Sequence, residues 1–209
     1  MALTGLGLLG FVVAHMVGNL LIFLGPHALN GYALKLRELG ELLWVARGIL
    51  LAMVALHVLS AIQITIENKK ARPVSYQSLQ TKKTSLAAKL MPISGLILLG
   101  YIVFHLFHFT FKKTHPEISH FMTQDGHHDV YSMVVLSFQQ FWISSVYIVS
   151  MAFLCFHLCH GIMSGFQTLG LTRKDLLPKL EWGSRVFSLI LFLGYSSIPL
   201  ACLTGILKV

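Results

Sequence analysis

The sequence predicts an all-α polytopic membrane protein with five transmembrane helices. Three observations carry that prediction. The 209 residues are 55% hydrophobic and only 11% charged, whereas soluble chains carry about 25% charged residues. The mean hydropathy is +0.72. The apolar residues gather into five runs, each near the roughly 20 residues that a helix needs to cross a hydrocarbon core about 30 Å thick. Such a chain cannot cover a water-exposed surface with polar groups, and it lacks the high charge density of a disordered one.

The whole chain, 1–209, reads as a single transmembrane domain with helices over about 2–24, 42–66, 90–111, 133–166 and 186–207. The first run, Ala2 to Leu24, ends at Gly25-Pro26. The second runs from Leu42 to Ile66. The third, Leu90 to Phe111, carries Pro92 in its first turn, where proline is tolerated. The fourth, Met133 to Phe166, exceeds one membrane thickness, so a tilt or a projection is expected. The fifth, Val186 to Leu207, contains Pro199, a kink site. Backbone groups in lipid must pair within their own segment, which makes these runs helices. The polar–apolar alternation of a membrane barrel is absent.

Charge orients the bundle. Sixteen basic residues face eight acidic ones, a formal excess of +8. One side holds Lys69, Lys70, Arg72, Lys82, Lys83, Lys89, Arg173, Lys174, Lys179 and Arg185. The other holds Lys35, Arg37, Arg47, Lys112, Lys113 and Lys208. The positive-inside rule places the first set, and with it the N-terminus, in the cytoplasm. The excess is thus assigned to membrane lipid and topology, and no nucleic-acid partner is expected. Met1 opens onto an apolar run without a basic lead or cleavage site, which argues against a removed secretory signal. Cys155, Cys159 and Cys202 lie in apolar runs and read as small core residues.

Eleven histidines are the anomaly. An ionisable side chain within the bilayer is costly unless partnered, and so is a functional candidate. The first four runs each carry one near mid-membrane: His15, His57, His105 and His157. The fifth carries none. At 1.5 Å per residue, His15 and His105 lie about 21 Å from the cytoplasmic ends of their runs, and His57 and His157 about 12–15 Å. Depth therefore pairs His15 with His105 toward the outside and His57 with His157 toward the cytoplasm. Two bis-imidazole sites stacked in a four-helix core suit two haems b, because imidazole is a good iron ligand and bundle cofactors are held from facing helices. The ligand faces carry small or polar residues: Thr4, Gly18 and Asn19 with His15; Ser60 and Ala61 with His57; Ser94 and His108 with His105; Ser150, Gly161 and Ser164 with His157. Such residues make room for a flat macrocycle, and they equally permit close helix packing. Cys155, His157, Cys159 and His160 resemble a zinc cluster only as text, since helical residues two apart point to nearly opposite faces. The C-x-x-C-H signature of covalent haem is missing at Phe156.

Several segments taken together resemble a known family. They are Met1-Ala-Leu-Thr-Gly-Leu, His15-Met-Val-Gly-Asn-Leu-Leu-Ile-Phe, Asn30-Gly-Tyr-Ala and Ala71-Arg-Pro-Val-Ser-Tyr. Phe104-His-Leu and His157-Leu-Cys-His-Gly-Ile-Met-Ser-Gly-Phe-Gln-Thr-Leu-Gly complete the set. Over nearly the whole chain this is similar to the cytochrome b558 membrane anchors of succinate:quinone oxidoreductases and fumarate reductases, the di-haem type. The chain departs from that pattern in lacking a short basic lead and in a longer, His-rich loop between the third and fourth helices.

The resemblance implies a five-helix anchor in a bacterial or archaeal cytoplasmic membrane. It implies that His57 and His157 hold a proximal haem and His15 and His105 a distal one. A flavoprotein subunit with FAD and an iron–sulfur subunit would dock on the cytoplasmic side, and a quinone, in this family often menaquinone, would exchange electrons with the haems. The sequence fits a carrier: it has no dinucleotide fingerprint and no cluster-binding cysteine set. Lys69, Lys70, Arg72, Lys82, Lys83 and Arg173 are the expected docking surface, with anionic lipid as their other use.

Further site candidates follow from position. Arg47 lies ten residues outward of His57, about 15 Å by helical rise, where it can meet a haem propionate. His160 lies one turn from His157 and can bond a propionate or replace the ligand. Glu38, Glu41, His27 and Asn19, together with His108, are candidates for a quinone site. His115, His120, His127 and His128, with Asp125 and Asp129, read as a solvated loop. Two alternatives stand beside this reading. One is a quinol-linked di-haem cytochrome b of another dehydrogenase. The other is a proton-coupled transporter that uses the membrane histidines as relays and binds no haem.

Overall fold

The computed structural model describes residues 1–71, 86–118 and 120–209. Arg72, Lys82, Lys83 and all but the first residue of the Ala71-to-Tyr76 motif lie outside them. The described chain is helical: α1 (Ala2–Leu20), α2 (Pro26–Glu38), α3 (Glu41–Lys70), α4 (Leu86–His105), α5 (Val130–Phe138), α6 (Phe141–Thr168) and α7 (Leu177–Leu203). A 3₁₀ turn over Leu21–Leu24 extends α1, and a wider π turn over Leu106–Thr110 extends α4. Among the described residues no strand forms beyond an isolated bridge between Met122 and His128. Five helices are long and apolar enough to cross a membrane: Ala2–Leu24, Glu41–Lys70, Lys89–Thr110, Phe141–Thr168 and Leu177–Leu203.

The boundaries differ from the sequence reading in three places. The run expected at 133–166 is two helices. Gln140 takes an extended conformation (φ −80°, ψ 116°) and separates α5 from α6. A two-residue polar break disappears in a hydropathy average, which is why the run read as one long span. The fifth helix starts at Leu177, nine residues before the expected Val186, and ends at Leu203 rather than Leu207. Its first turns hold Lys179, Glu181 and Arg185, charges that a hydropathy reading assigns to a loop but that a helix presents to solvent. Glu181 and Arg185 form an i,i+4 pair there. Finally, the first connection holds an unforeseen helix, α2, started by Gly25 (φ 92°) and Pro26 in its first turn.

α6 is the centre of the packing. It lies against α7 and α4 along much of its length, while α1 touches α3, α6 and α7. α7, which carries no candidate ligand, is the most buried of the spans. It is tied to α6 by Ser184 Oγ donating to the Cys159 carbonyl (3.1 Å) and to α1 by Tyr195 Oη donating to the Val12 carbonyl (2.7 Å). α3 rests mainly on α1 and buries no residue.

The apolar core gathers where α2 and α5 close one end of the bundle. It comprises Ile22, Leu29, Tyr131, Val135, Phe138, Ile143, Tyr147, Ile198, Ala201, Cys202 and Leu207. A polar strap locks that end. Asp129 caps α5 by accepting from Ser132 N (3.0 Å) and Ser132 Oγ (2.6 Å). It also accepts from Asn30 Nδ2 (3.0 Å), and Asn30 Oδ1 accepts in turn from Tyr131 N (2.9 Å). Burial opposes ionisation of Asp129, but these donors outweigh it and hold the carboxyl below its usual range. Two residues after Asn30, Tyr32 lies against Gly18, where an added Cβ would stand 2.6 Å from the phenol oxygen. The Asn30-Gly-Tyr-Ala segment therefore works as a clasp between α1, α2 and α5.

Candidate functional site: two imidazole pairs

The fold brings the four mid-membrane histidines together in two pairs. The rings of His15 and His105 have centroids 5.8 Å apart at 85°, and those of His57 and His157 are 6.4 Å apart at 65°. Two imidazoles on opposite sides of one metal, each bonded at about 2 Å and each with its nitrogen about 1 Å from the ring centre, have centroids about 6 Å apart. Both pairs have that spacing.

Three of the four rings are held at Nδ1 by a hydroxyl on another helix. Thr4 Oγ1 lies 3.3 Å from His57 Nδ1, and Ser94 Oγ lies 3.1 Å from His157 Nδ1. Each of these hydroxyls already donates its proton to a main-chain carbonyl, Thr4 to Met1 (2.8 Å) and Ser94 to Met91 (3.1 Å). A hydroxyl so engaged can accept from the ring, and a ring that donates through Nδ1 keeps its Nε2 lone pair for a metal. Tyr147 Oη lies 3.2 Å from His105 Nδ1. A second group on the non-coordinating nitrogen is the usual support of a metal-bound histidine. His15 has no such hydroxyl. Its ring stacks on Phe11 (5.2 Å) and meets Tyr195 (6.3 Å).

Glycines make room for the rings. A Cβ on Gly5 would stand 3.3 Å from His57 Cε1, and one on Gly95 would stand 3.6 Å from His157 Cε1. The same neighbours set the depth of the sites. Thr4 and Gly5 mark the level of His57 on α1, and Ser94 and Gly95 mark that of His157 on α4. His15 and His105 each lie ten or eleven residues further along those helices, so the pairs are about 15 Å apart along the bundle. Measuring from helix ends gave a smaller separation because α3 and α6 run well past the level of their histidines, to Lys70 and Thr168. The pairing is the one depth assigned.

The other candidates scatter. Arg47 is exposed, with its guanidinium 4.9 Å from the centre of the Trp44 ring. His160 is half-buried near His157 and makes no hydrogen bond among the described residues. Asn19 Nδ2 donates to the carbonyl of His15 (2.7 Å), so its amide is spent on its own helix. His27, Glu38 and Glu41 are exposed. His27 and Glu38 stand near opposite ends of α2, about 16 Å apart by helical rise, too far to share one quinone ring. His108 is different. It is 3% exposed, and its Nδ1 lies 2.9 Å from Tyr147 Oη.

Sequence reasoning missed Tyr147. It sits in an apolar run, where an aromatic residue reads as core. It packs on Phe138 (4.8 Å) and Tyr101 (5.2 Å) as core residues do, while its hydroxyl serves two histidines. Thr4 and Ser94 stood on ligand faces, but their partners lie 53 and 63 residues away in the chain. No known family, no characterised protein and no solved structure matches the chain.

Proposed function

We propose that the chain is a di-haem cytochrome b, the membrane-anchor subunit of a succinate:quinone oxidoreductase or fumarate reductase. The observation that carries the haem reading is the pair of imidazole sites. Each has the spacing of a bis-histidine metal ligand set, and a hydroxyl lies against Nδ1 of both His57 and His157. The choice of partner rests on the sequence resemblance. A flavoprotein and an iron–sulfur subunit would bind at the basic cytoplasmic face, and menaquinone would be the membrane substrate.

In this reading haem iron supplies one-electron chemistry when bound, with its potential tuned by ligands, hydrogen bonds and burial. The chain's own residues hold and orient. Thr4 and Ser94 keep the His57 and His157 rings from turning. Tyr147 does the same for His105, and Phe11 and Tyr195 wall His15.

Pyridine haemochrome quantitation of the purified chain tests the proposal, with about two haems b per chain expected. Absence of any b-type band would leave the transporter reading in its place. Co-purification with a flavoprotein and an iron–sulfur subunit separates a succinate or fumarate enzyme from other quinol-linked dehydrogenases.

A further inference from the structure

A groove between α1, α6 and α7 belongs to neither imidazole pair. Its volume is about 260 Å³, and Leu9, Ile162, Phe166, Leu180 and Phe187 form its half-buried apolar walls. Ile162 and Phe166 stand about 140° and 180° around α6 from His157. The groove therefore lies on the side of α6 turned away from the imidazoles. It follows the first turns of α7. From Lys179 to Phe187 is about 12 Å by helical rise, and Gly183 stands midway. A Cβ added at Gly183 would meet nothing within 4 Å, so this residue leaves the floor of the groove open.

Two of the lining residues are polar, and one is spent. Ser184 Oγ is engaged by the carbonyls of Cys159 (3.1 Å) and Glu181 (3.0 Å). The other is Lys179, which is exposed at one end of the groove. The segment 173–185 holds four cations, Arg173, Lys174, Lys179 and Arg185, and two acids, Asp175 and Glu181. Asp175 pairs with Arg173 (3.2 Å) and Glu181 with Arg185 (2.5 Å). Each acid is thus matched to an arginine, and Lys174 and Lys179 form no ion pair among the described residues. Trp182, one turn along from Lys179, is exposed. Tryptophan gathers where a bilayer meets water, which sets Lys179 at headgroup depth and Phe187 in the hydrocarbon.

The occupant that fits has an apolar chain about two helical turns long and an anionic group at one end. Apolar contact alone selects little in a membrane, because lipid tails are as apolar as leucine. The selecting contact is the charge. Free phosphate would leave the apolar walls unused, and a zwitterionic lipid would bring its own cation against Lys179. We infer that the groove binds an anionic phospholipid, with one acyl chain lying along α7 from Lys179 to Phe187 and the phosphate paired with Lys179. This goes beyond the proposed function and does not depend on haem.

The test uses the purified full chain in detergent, mixed with phosphatidylglycerol or phosphatidylcholine. Native mass spectrometry counts the lipids that each chain retains. One phosphatidylglycerol should be retained in preference to phosphatidylcholine. Lys179→Gln should weaken its binding about fivefold, the value of one basic residue near a charged surface. Lys174→Gln removes the same charge from outside the groove and should leave binding nearly unchanged. Gly183→Leu should block the lipid by filling the groove while Lys179 remains, and the Tm of the lipid-free variant checks that it is folded. Excess inorganic phosphate should not displace the lipid. Equal retention of the two lipids, equal weakening in the two lysine variants, or displacement by phosphate overturns the site. A dimer that Gly183→Leu dissolves would give the groove to a second copy of the chain, and so would overturn it too.

Discussion

Replacing Tyr147 by Phe removes one oxygen atom and keeps the ring, so its effect isolates the hydroxyl. The structure fixes what is lost. Tyr147 Oη is 3.2 Å from His105 Nδ1 and 2.9 Å from His108 Nδ1. The ring contacts to Phe138 and Tyr101 remain. His108 is 3% exposed, and without Tyr147 neither of its nitrogens has a hydrogen-bond partner among the described residues. Leaving a buried polar group unpaired costs about 1–3 kcal/mol. For a chain of about this size, each kcal/mol lowers Tm by about 2–4 °C. A fall of several degrees is therefore expected from the fold alone. At the proposed haem site, loss of the group behind a ligating histidine would lower metal affinity about 10–100-fold, or about 1.4–2.7 kcal/mol.

The two effects are read separately. Thermal unfolding of the apo chain in detergent, followed by circular dichroism, reports the first. Transfer of haem to excess apomyoglobin reports the second. Tyr147→Phe should release one haem, the one held by His15 and His105, about 10–100-fold more readily, while the other stays at the wild-type rate. Equal release of both haems would show that the hydroxyl acts through the fold and not through His105. An unchanged Tm together with unchanged haem release would refute the reasoning.

Other outcomes follow from the same geometry. Thr4→Val and Ser94→Ala should weaken the haem held by His57 and His157 by about tenfold or more each, and haem transfer should show the His15–His105 haem unaffected. Replacing His57 or His157 by Ala should abolish one haem band, and replacing His15 or His105 the other; loss of the same band in all four variants would contradict the pairing. Gly18→Ala should lower Tm, because its Cβ would stand 2.6 Å from the Tyr32 hydroxyl, whereas Gly31→Ala, with open space around it, should be nearly silent. The Asp129 strap should be acid-sensitive. Its folded pKa lies below the unfolded value of about 3.9, so its contribution is present above that value and is lost as pH falls through the folded pKa. A Tm series between pH 7 and pH 3 should fall less steeply for Asp129→Asn than for the wild type, and parallel curves would remove Asp129 from the account.

The five spans were legible because a bilayer imposes one length and one composition on every helix that crosses it. The pairing of His15 with His105 and of His57 with His157 was legible for a related reason, since a histidine near the middle of each of four apolar runs has few places to find a partner. Two kinds of feature were not. The break at Gln139-Gln140 and the charged first turns of α7 are short departures inside long patterns, and averaging erases them. α2 is too polar on average for a reading of apolar runs to find it, yet Asn30 and Tyr32 within it fasten α1 and α5. The hydroxyls behind the ligands are the second kind. Thr4, Ser94 and Tyr147 gain their meaning from contacts 39 to 63 residues away, and nothing in their own neighbourhoods distinguishes them from packing residues.

What those hydroxyls do with their own protons separates the two sites. Thr4 and Ser94 each donate to a main-chain carbonyl three residues earlier, Met1 and Met91. A main-chain carbonyl cannot pass a proton on, so the hydrogen bonds behind His57 and His157 stop there. The hydroxyl of Tyr147 is shared instead between His105 (3.2 Å) and His108 (2.9 Å). The two imidazole pairs therefore differ in what stands behind them: a hydroxyl anchored on the main chain at His57 and at His157, and at His105 a phenol shared with a second, buried histidine.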